Sequence, residues 1–291
     1  MSNTNIFPPF VARRSFIELS ARERAQSLMD SGSWRELVGP FERIESPWLP
    51  EQGIAPQSDD GCVVLKGKIA AKPAVVVALE GGFQAGSMGE VSGAKMTATL
   101  DLAARDCQNG TTTAAVLLLE TGGVRLQEAN LGLAAIAEVM ASLLALREHA
   151  PIITVIAGTV GCFGGMSLVA GLSSYIVMTP EARLGLNGPE VIEQESGVEE
   201  FDSSDRPLIW AINGGEQRVG MGVADELVVD DAERIAAAIQ RYVKAGFPVV
   251  HRSQQVELYR NRIAALDTSK QFDPFSLRES WNNKKKEGVA R

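Results

Sequence analysis

The chain has 291 residues, 45% of them hydrophobic, which suffices for one large core-forming domain with appendages. Its 28 basic and 36 acidic residues give a formal charge of −8, which argues against a general nucleic-acid binder because phosphate contacts need a basic face. A charged fraction of 22% and a mean hydropathy of +0.01 exclude global disorder. Cys62, Cys107 and Cys162 are scattered and odd in number, so they build neither a disulfide framework nor a structural zinc site. The N-terminal residues carry prolines and arginines but no apolar core region, so a secretory signal is not expected. The apolar run over residues 131–146 is interrupted by Glu138 and too short to span a bilayer, so a soluble, cytoplasmic protein is expected.

Residues 1–15 read as an arm. Ser20 followed by Glu23 forms a capping box, and ARERAQSLMD continues as a helix ending near Gly32. A Pro-, Ser- and Asp-containing stretch over residues 45–60 reads as a loop. CVVLKGKI and PAVVVAL then form two strands joined by the turn Ala70-Ala71-Lys72, a predicted hairpin. Beyond them the hydrophobic period changes: GEVSGAKMTATLDLAARDC is helical, TAAVLLLE a buried strand, and LQEANLGLAAIAEVMASLLALREHA a long helix. PIITVIAG, FGGMSLVAGL and SYIVMT give strand, helix and strand, and ELVVDD with AERIAAAIQRYVKAG adds a late strand and helix. Strands alternating with helices imply βαβ crossovers and a mostly parallel core. The predicted organisation is an arm over 1–15, one domain over 16–267 and a tail over 268–291, where Lys284-Lys285-Lys286 reads as solvated.

Two glycine-rich turns follow successive core strands. The first is Glu120-Thr121-Gly122-Gly123-Val124-Arg125; the second runs from Gly158 through Cys162, Gly164 and Gly165 to Met166. Ligands of open α/β sheets sit at the carboxyl ends of strands, so both turns are expected to face one crevice. Glycines admit close backbone approach, and helix N-termini present N–H groups that favour negative charge. A pair of such turns holds an oxyanion without a charged side chain. Tight-turn packing alone explains either turn taken singly. Neither fits G-x-x-x-x-G-K-[ST] or a strand-borne G-x-G-x-x-G, which disfavours nucleotide hydrolysis and dinucleotide binding.

Side-chain catalysis has few candidates. Only His149 and His251 occur; His149 ends the long helix, where a cation complements the dipole, and His251 lies far along the chain. A Ser-His-Asp triad is therefore not expected. Cys162 sits in the second turn without a histidine near it in sequence, so it reads as a small residue in a tight place. Gln127 and Glu128 begin the long helix beside the first turn, which is ordinary for a carboxylate and equally compatible with positioning the site.

The segments GGFQAGSMGEVSGAK, TGGVRLQE and PIITVIAG…GG…LGLNGPEVI, together with ARERAQSLMDSGSWREL and DGCVVLKGKIAAKPAVVVA, resemble the carboxyltransferase β subunits of the acyl-CoA carboxylases. These are members of the crotonase-like superfamily, and the likeness covers roughly residues 18–245 in family order. It implies an α/β, crotonase-like spiral of ββα units with flanking helices. It further implies an enolate held by backbone around Gly122, Gly123, Gly164 and Gly165, and a CoA-type arm lying along Gln84, Ala85, Gly86, Ser87 and Met88. Lys95 has two readings, an anion contact on that arm or a solvated helix face. Arg125 likewise meets a substrate anion or braces the turn through a buried ion pair. Val124, Gln127, Glu128, Cys162 and Met166 are supporting residues.

The departures narrow the resemblance. No four-cysteine zinc ribbon precedes the domain, only the first of two carboxyltransferase halves is present, and no M-K-M biotin-attachment pattern occurs. A short, zinc-free, first-half chain is similar to the β subunits of malonate decarboxylases. That likeness implies a γ subunit resembling the second half, an acyl-carrier subunit with a CoA-derived arm, and decarboxylation of a malonyl thioester, with no biotin and no metal bound by this chain. The alternatives are a carboxyltransferase β subunit working with biotin, a crotonase-type hydratase or hydrolase acting alone, and a scaffold that binds an acyl-carrier protein.

Overall fold

A computed structural model describes residues 13–267, 269 and 273–288, so the arm predicted over 1–15 lies almost wholly outside the described residues. The elements run α1 (Ala21–Leu28), β1 (Arg35–Glu36), β2 (Cys62–Ile69), β3 (Lys72–Leu79), α2 (Glu90–Gln108), β4 (Ala114–Leu118), α3 (Asn130–Arg147), β5 (Ile152–Ile156), α4 (Gly165–Leu172) and β6 (Tyr175–Met178). They continue with α5 (Pro189–Ser196), α6 (Arg206–Asn213), α7 (Gly215–Gly220), β7 (Glu226–Leu227), α8 (Ala232–Ala245), α9 (Val256–Ala264) and α10 (Pro274–Gly288). One sheet takes the seven strands in sequence order; β1, β2 and β3 pair antiparallel, and each strand from β3 to β7 pairs parallel with the next.

Local chemistry explains the leading elements. At α1 the Ser20 hydroxyl accepts the Glu23 N–H at 3.3 Å, and the Glu23 carboxylate accepts the Ser20 N–H at 3.0 Å, the capping box expected from sequence. The β2–β3 hairpin pairs Ile69 with Lys72, leaving a two-residue loop of Ala70 and Ala71 at φ 51 and 64. Left-handed alanines are unusual there. The Asp30 carboxylate offsets this by accepting both loop N–H groups, at 2.9 and 2.7 Å.

Strands β4 and β5 are buried on both faces, which is why they read as unbroken apolar runs rather than alternating ones. One core joins Val75, Val77 and Leu117 to Met96 of α2, Val139 of α3 and Met166 of α4. The other joins Val76, Val116 and Val155 to Leu28 of α1 and Ile239 of α8. The crossover helices α2, α3 and α4 thus cover one face, while α1 and α8 close the other. α3 is long and apolar enough by composition to cross a membrane, yet it packs along α2 and α4 and only a third of it is buried within this chain.

The segment over residues 189–220, to which the sequence reading assigns no element, holds α5, α6 and α7. Residues beyond 267 carry α10, whose backbone range includes Lys284-Lys285-Lys286; it packs on α6 and α7, with Trp281 buried.

Candidate active site

The strand ends of β4 and β5 continue past the main sheet into a short second ladder. Thr121 pairs with Cys162, Cys162 with Leu184, and Met88 with Val124. Thr121 N–H donates to Gly161 O at 2.8 Å, Phe163 N–H to Thr121 O at 3.0 Å, and Met88 N–H to Gly123 O at 2.8 Å. These bonds bring the two glycine-rich turns and the loop over 84–89 to one edge of the molecule.

The turns meet at Gly123 and Gly164. A Cβ added to Gly123 would lie 3.2 Å from Gly164 Cα, and one added to Gly164 would lie 3.1 Å from Gly123 Cα. Gly123 has φ +111, and Gly164 has φ 60 with ψ −147, so both positions also demand glycine for backbone reasons.

Of the four glycines expected to serve an oxyanion, Gly165 alone keeps an open N–H. Gly122 N–H donates to Ala85 O at 2.9 Å, Gly123 N–H to Thr121 Oγ1 at 3.0 Å, and Gly164 N–H to Leu186 O at 2.7 Å. Those three groups hold the turns together and are not free for an oxyanion. Gly165 and Met166, which open α4, and Val124 beside them have N–H groups without an acceptor among the described residues. Val124 N lies 3.8 Å from the Cβ position of Gly164. The first turn of α4 therefore presents donors and the positive end of its dipole toward the glycine contact.

Below this lies a buried charge network. Arg125 Nη1 donates to Asp60 Oδ1 at 2.6 Å and to Glu128 Oε1 at 2.9 Å, and all three side chains are fully buried. Glu128 also accepts Ser46 Oγ–H at 2.6 Å and Glu90 N–H at 2.6 Å, while Asp60 accepts Ser92 N–H at 2.8 Å. Burial pushes the Asp60 carboxyl up against the pull of Arg125; the Glu128 carboxyl is drawn down because its hydrogen bonds and Arg125 outweigh its burial. Arg125 thus braces the first turn through ion pairs. The two carboxylates accept the Glu90 and Ser92 N–H groups at the start of α2 and set negative charge there, which disfavours a phosphate.

Lys95 is neither on a solvated face nor free for an anion: it is 7% exposed, and its Nζ donates to Asp59 O at 2.9 Å and to Cys62 O. That corrects its assignment to the arm. Met88 and Gly86 are buried, the latter because a Cβ would overlap Glu120 O, whereas Ala85 is exposed and Gln84 and Ser87 are half-buried. Gln127 Nε2 donates to Gln84 Oε1 at 3.3 Å, linking the loop to the first turn. The Cys162 thiol is fully buried and pushed up by burial, and the Cys62 thiol is pushed up to about 12 by the same cause; neither is a thiolate nucleophile.

The histidines lie apart from the turns. His149 is exposed just after α3, and His251 sits at the far end of α4, with Nε2 2.9 Å from Ser173 O. Among the described residues no group of three or more His, Cys, Asp or Glu side chains is placed to hold a metal ion. Sequence reasoning missed Asp60, Arg24, Arg183 and the role of Glu120. Only Glu120 left a trace, as a carboxylate ending an otherwise apolar strand run.

Comparisons with known proteins agree with this architecture. Residues 17–282 match the family model described as carboxyl transferase domain. The chain is 42% identical over 282 residues to the malonyl-S-ACP:biotin-protein carboxyltransferase MADC of Malonomonas rubra, covering 92% of this chain and 88% of that protein. It is 55% identical to a chain of a Pseudomonas malonate decarboxylase hetero-tetramer crystallised with malonate, with a TM-score of 0.91 over 93% of this chain and 98% of that one. A chain of the Pseudomonas MdcD-MdcE hetero-dimer is 49% identical, with a TM-score of 0.75 over 88% and 98%. Transcarboxylase 12S, with methylmalonyl-coenzyme A bound, gives a TM-score of 0.64 at 25% identity over 76% of this chain and 40% of its own. The fold is the crotonase-like α/β architecture of these carboxyltransferases, and with a family model spanning most of its length the chain belongs to the carboxyl transferase domain family.

Proposed function

We propose that this chain is the β subunit of a malonate decarboxylase, converting a malonyl thioester on an acyl-carrier protein to the acetyl thioester. The observation that carries the reading is the near full-length likeness, at 55% identity, to a chain of the malonate decarboxylase hetero-tetramer. The chemistry follows from the turns. The C–C bond to the carboxylate breaks, CO2 leaves, and the bonding pair moves onto the thioester carbonyl to give an enolate. In this reading the N–H groups of Gly165, Met166 and Val124, which have no acceptor among the described residues, serve that oxygen. One such donor contributes about 10²–10³ in rate. Gly123 and Gly164 let the backbone approach, and Gln84, Ala85 and Ser87 offer the accessible part of the loop to the CoA-derived arm of the carrier. A proton from water or from a partner subunit completes the acetyl group.

A γ subunit resembling the second carboxyltransferase half is the partner in this reading. Leu126, Leu168 and Leu186 flank the turns at 84%, 50% and 59% exposure, an apolar margin suited to a covering protein surface. Neither biotin nor a metal takes part. The test is CO2 release from malonyl-carrier thioester by the co-expressed complex, with avidin present. Avidin-resistant release that needs the second subunit supports the reading.

A second reading, transfer of the carboxyl group to a biotin protein, is favoured by the likeness to the Malonomonas rubra malonyl-S-ACP:biotin-protein carboxyltransferase. Release blocked by avidin, or dependent on added biotin protein, establishes it instead.

A further inference from the structure

Glu120 lies two residues past the end of β4 and is 7% exposed. Its carboxylate pairs with Arg24 of α1 and accepts the Val160 N–H at 3.3 Å. Glycines make room for it: a Cβ on Gly158 would overlap the carboxylate, and one on Gly81 would come within 2.8 Å of its Cδ. The group therefore lies across the carboxyl ends of β3, β4 and β5. Arg24 also donates Nε to Phe16 O at 2.9 Å and Nη2 to Ile17 O, which ties the start of the chain to the same point.

The opposite side of the 158–161 turn is held by a cation. Arg183 Nη2 donates to Thr159 O at 2.8 Å and to Val160 O at 3.3 Å. Its guanidinium lies 5.4 Å from the Phe163 ring centre and 4.7 Å from that of Trp210. An anion on the N–H side and a cation on the carbonyl side thus fix a turn that runs, three residues on, into Gly164 and the open N–H groups of α4. A buried ion pair adds little net stability over an apolar pair of similar volume. What an apolar pair cannot do is accept the Val160 N–H.

We propose that Glu120, by accepting the Val160 N–H, is a positioning residue that sets the 158–161 turn and, through it, the N–H groups at the start of α4. The inference rests on the reading of those groups as the enolate donors. Displacing a reacting geometry by about 1 Å costs about 10²-fold in rate, so a carboxylate that never touches substrate governs kcat.

Two double variants separate this role from mere burial, since neither leaves an unpaired buried charge. Arg24→Met/Glu120→Gln keeps an amide oxygen for Val160, and Arg24→Met/Glu120→Met removes the acceptor. In the assembled complex the Gln variant is expected to keep kcat within about threefold, while the Met variant loses about 10- to 100-fold with KM within about twofold. Amide hydrogen exchange at Val160 is expected to accelerate in the Met variant alone. Equal kcat and equal Val160 exchange in the two variants overturn the proposal. If the wild-type complex releases no CO2, the functional reading fails and Val160 exchange alone decides: faster exchange in the Met variant supports the positioning role, and unchanged exchange overturns it.

Discussion

Gly123 and Gly164, 41 positions apart in sequence, meet backbone to backbone, and a Cβ on either would stand within 3.2 Å of the other's Cα. This contact joins the turn after β4 to the turn before α4 and leaves Val124 N 3.8 Å from the Cβ position of Gly164, the residue before the open N–H of Gly165. The site is thus made of backbone, and its tolerance of substitution is set by the absence of side chains.

Gly164→Val should lower kcat by about 10²–10³, because valine clashes with Gly123 and cannot adopt φ 60 with ψ −147 without strain. Steady-state kinetics on the intact complex, with assembly checked by gel filtration, measure this. Wild-type turnover by a folded Gly164→Val complex would contradict the assignment.

Arg125→Met leaves Asp60 and Glu128 buried without their cation. Breaking such a buried pair costs about 3–5 kcal/mol, so the urea midpoint should fall sharply. A midpoint unchanged within error would show that the network contributes nothing to the brace under the first turn.

His251 supplies a pH dependence of known sign. Its imidazole is held below the ordinary value of 6.5, first by burial and then by the neighbouring Arg147 and Arg252; the carbonyl of Ser173 opposes them. The unfolded chain therefore binds the extra proton more readily. The stability contribution is complete above pH 6.5 and is lost as pH falls through the lower folded value. Tm measured from pH 8 to 5 should decline across that interval, and His251→Gln should flatten the decline. An identical slope in the variant would rule out His251 as its source.

Leu126→Asp and Leu168→Asp test the apolar margin around the turns. Each places a charge where an exposed leucine flanks the donors, and each should weaken subunit association by tenfold or more if the margin is an interface. Titration of the purified partner by light scattering reads this directly. Unaltered association would move the interface elsewhere.

Much of this architecture was legible in the sequence because the signals are local. The capping box at Ser20, the hairpin ending at Ile69 and Lys72, and the apolar runs of β4 and β5 each declare themselves within ten residues. The helices over residues 189–220 did not, since segments of six to eight residues are too short to sustain a helical period.

Sequence by itself therefore determined the layered α/β plan, the two glycine turns on successive strands, and the lack of a histidine beside them. Tertiary structure alone decided which N–H groups remain open. That outcome depends on acceptors brought in from far along the chain: Ala85 O for Gly122, Leu186 O for Gly164. It also decided that Lys95 turns inward to two carbonyls and that Arg125 lies between two buried carboxylates. A charged side chain is soluble or buried according to its partners, and those partners are fixed only when the strands and loops have packed.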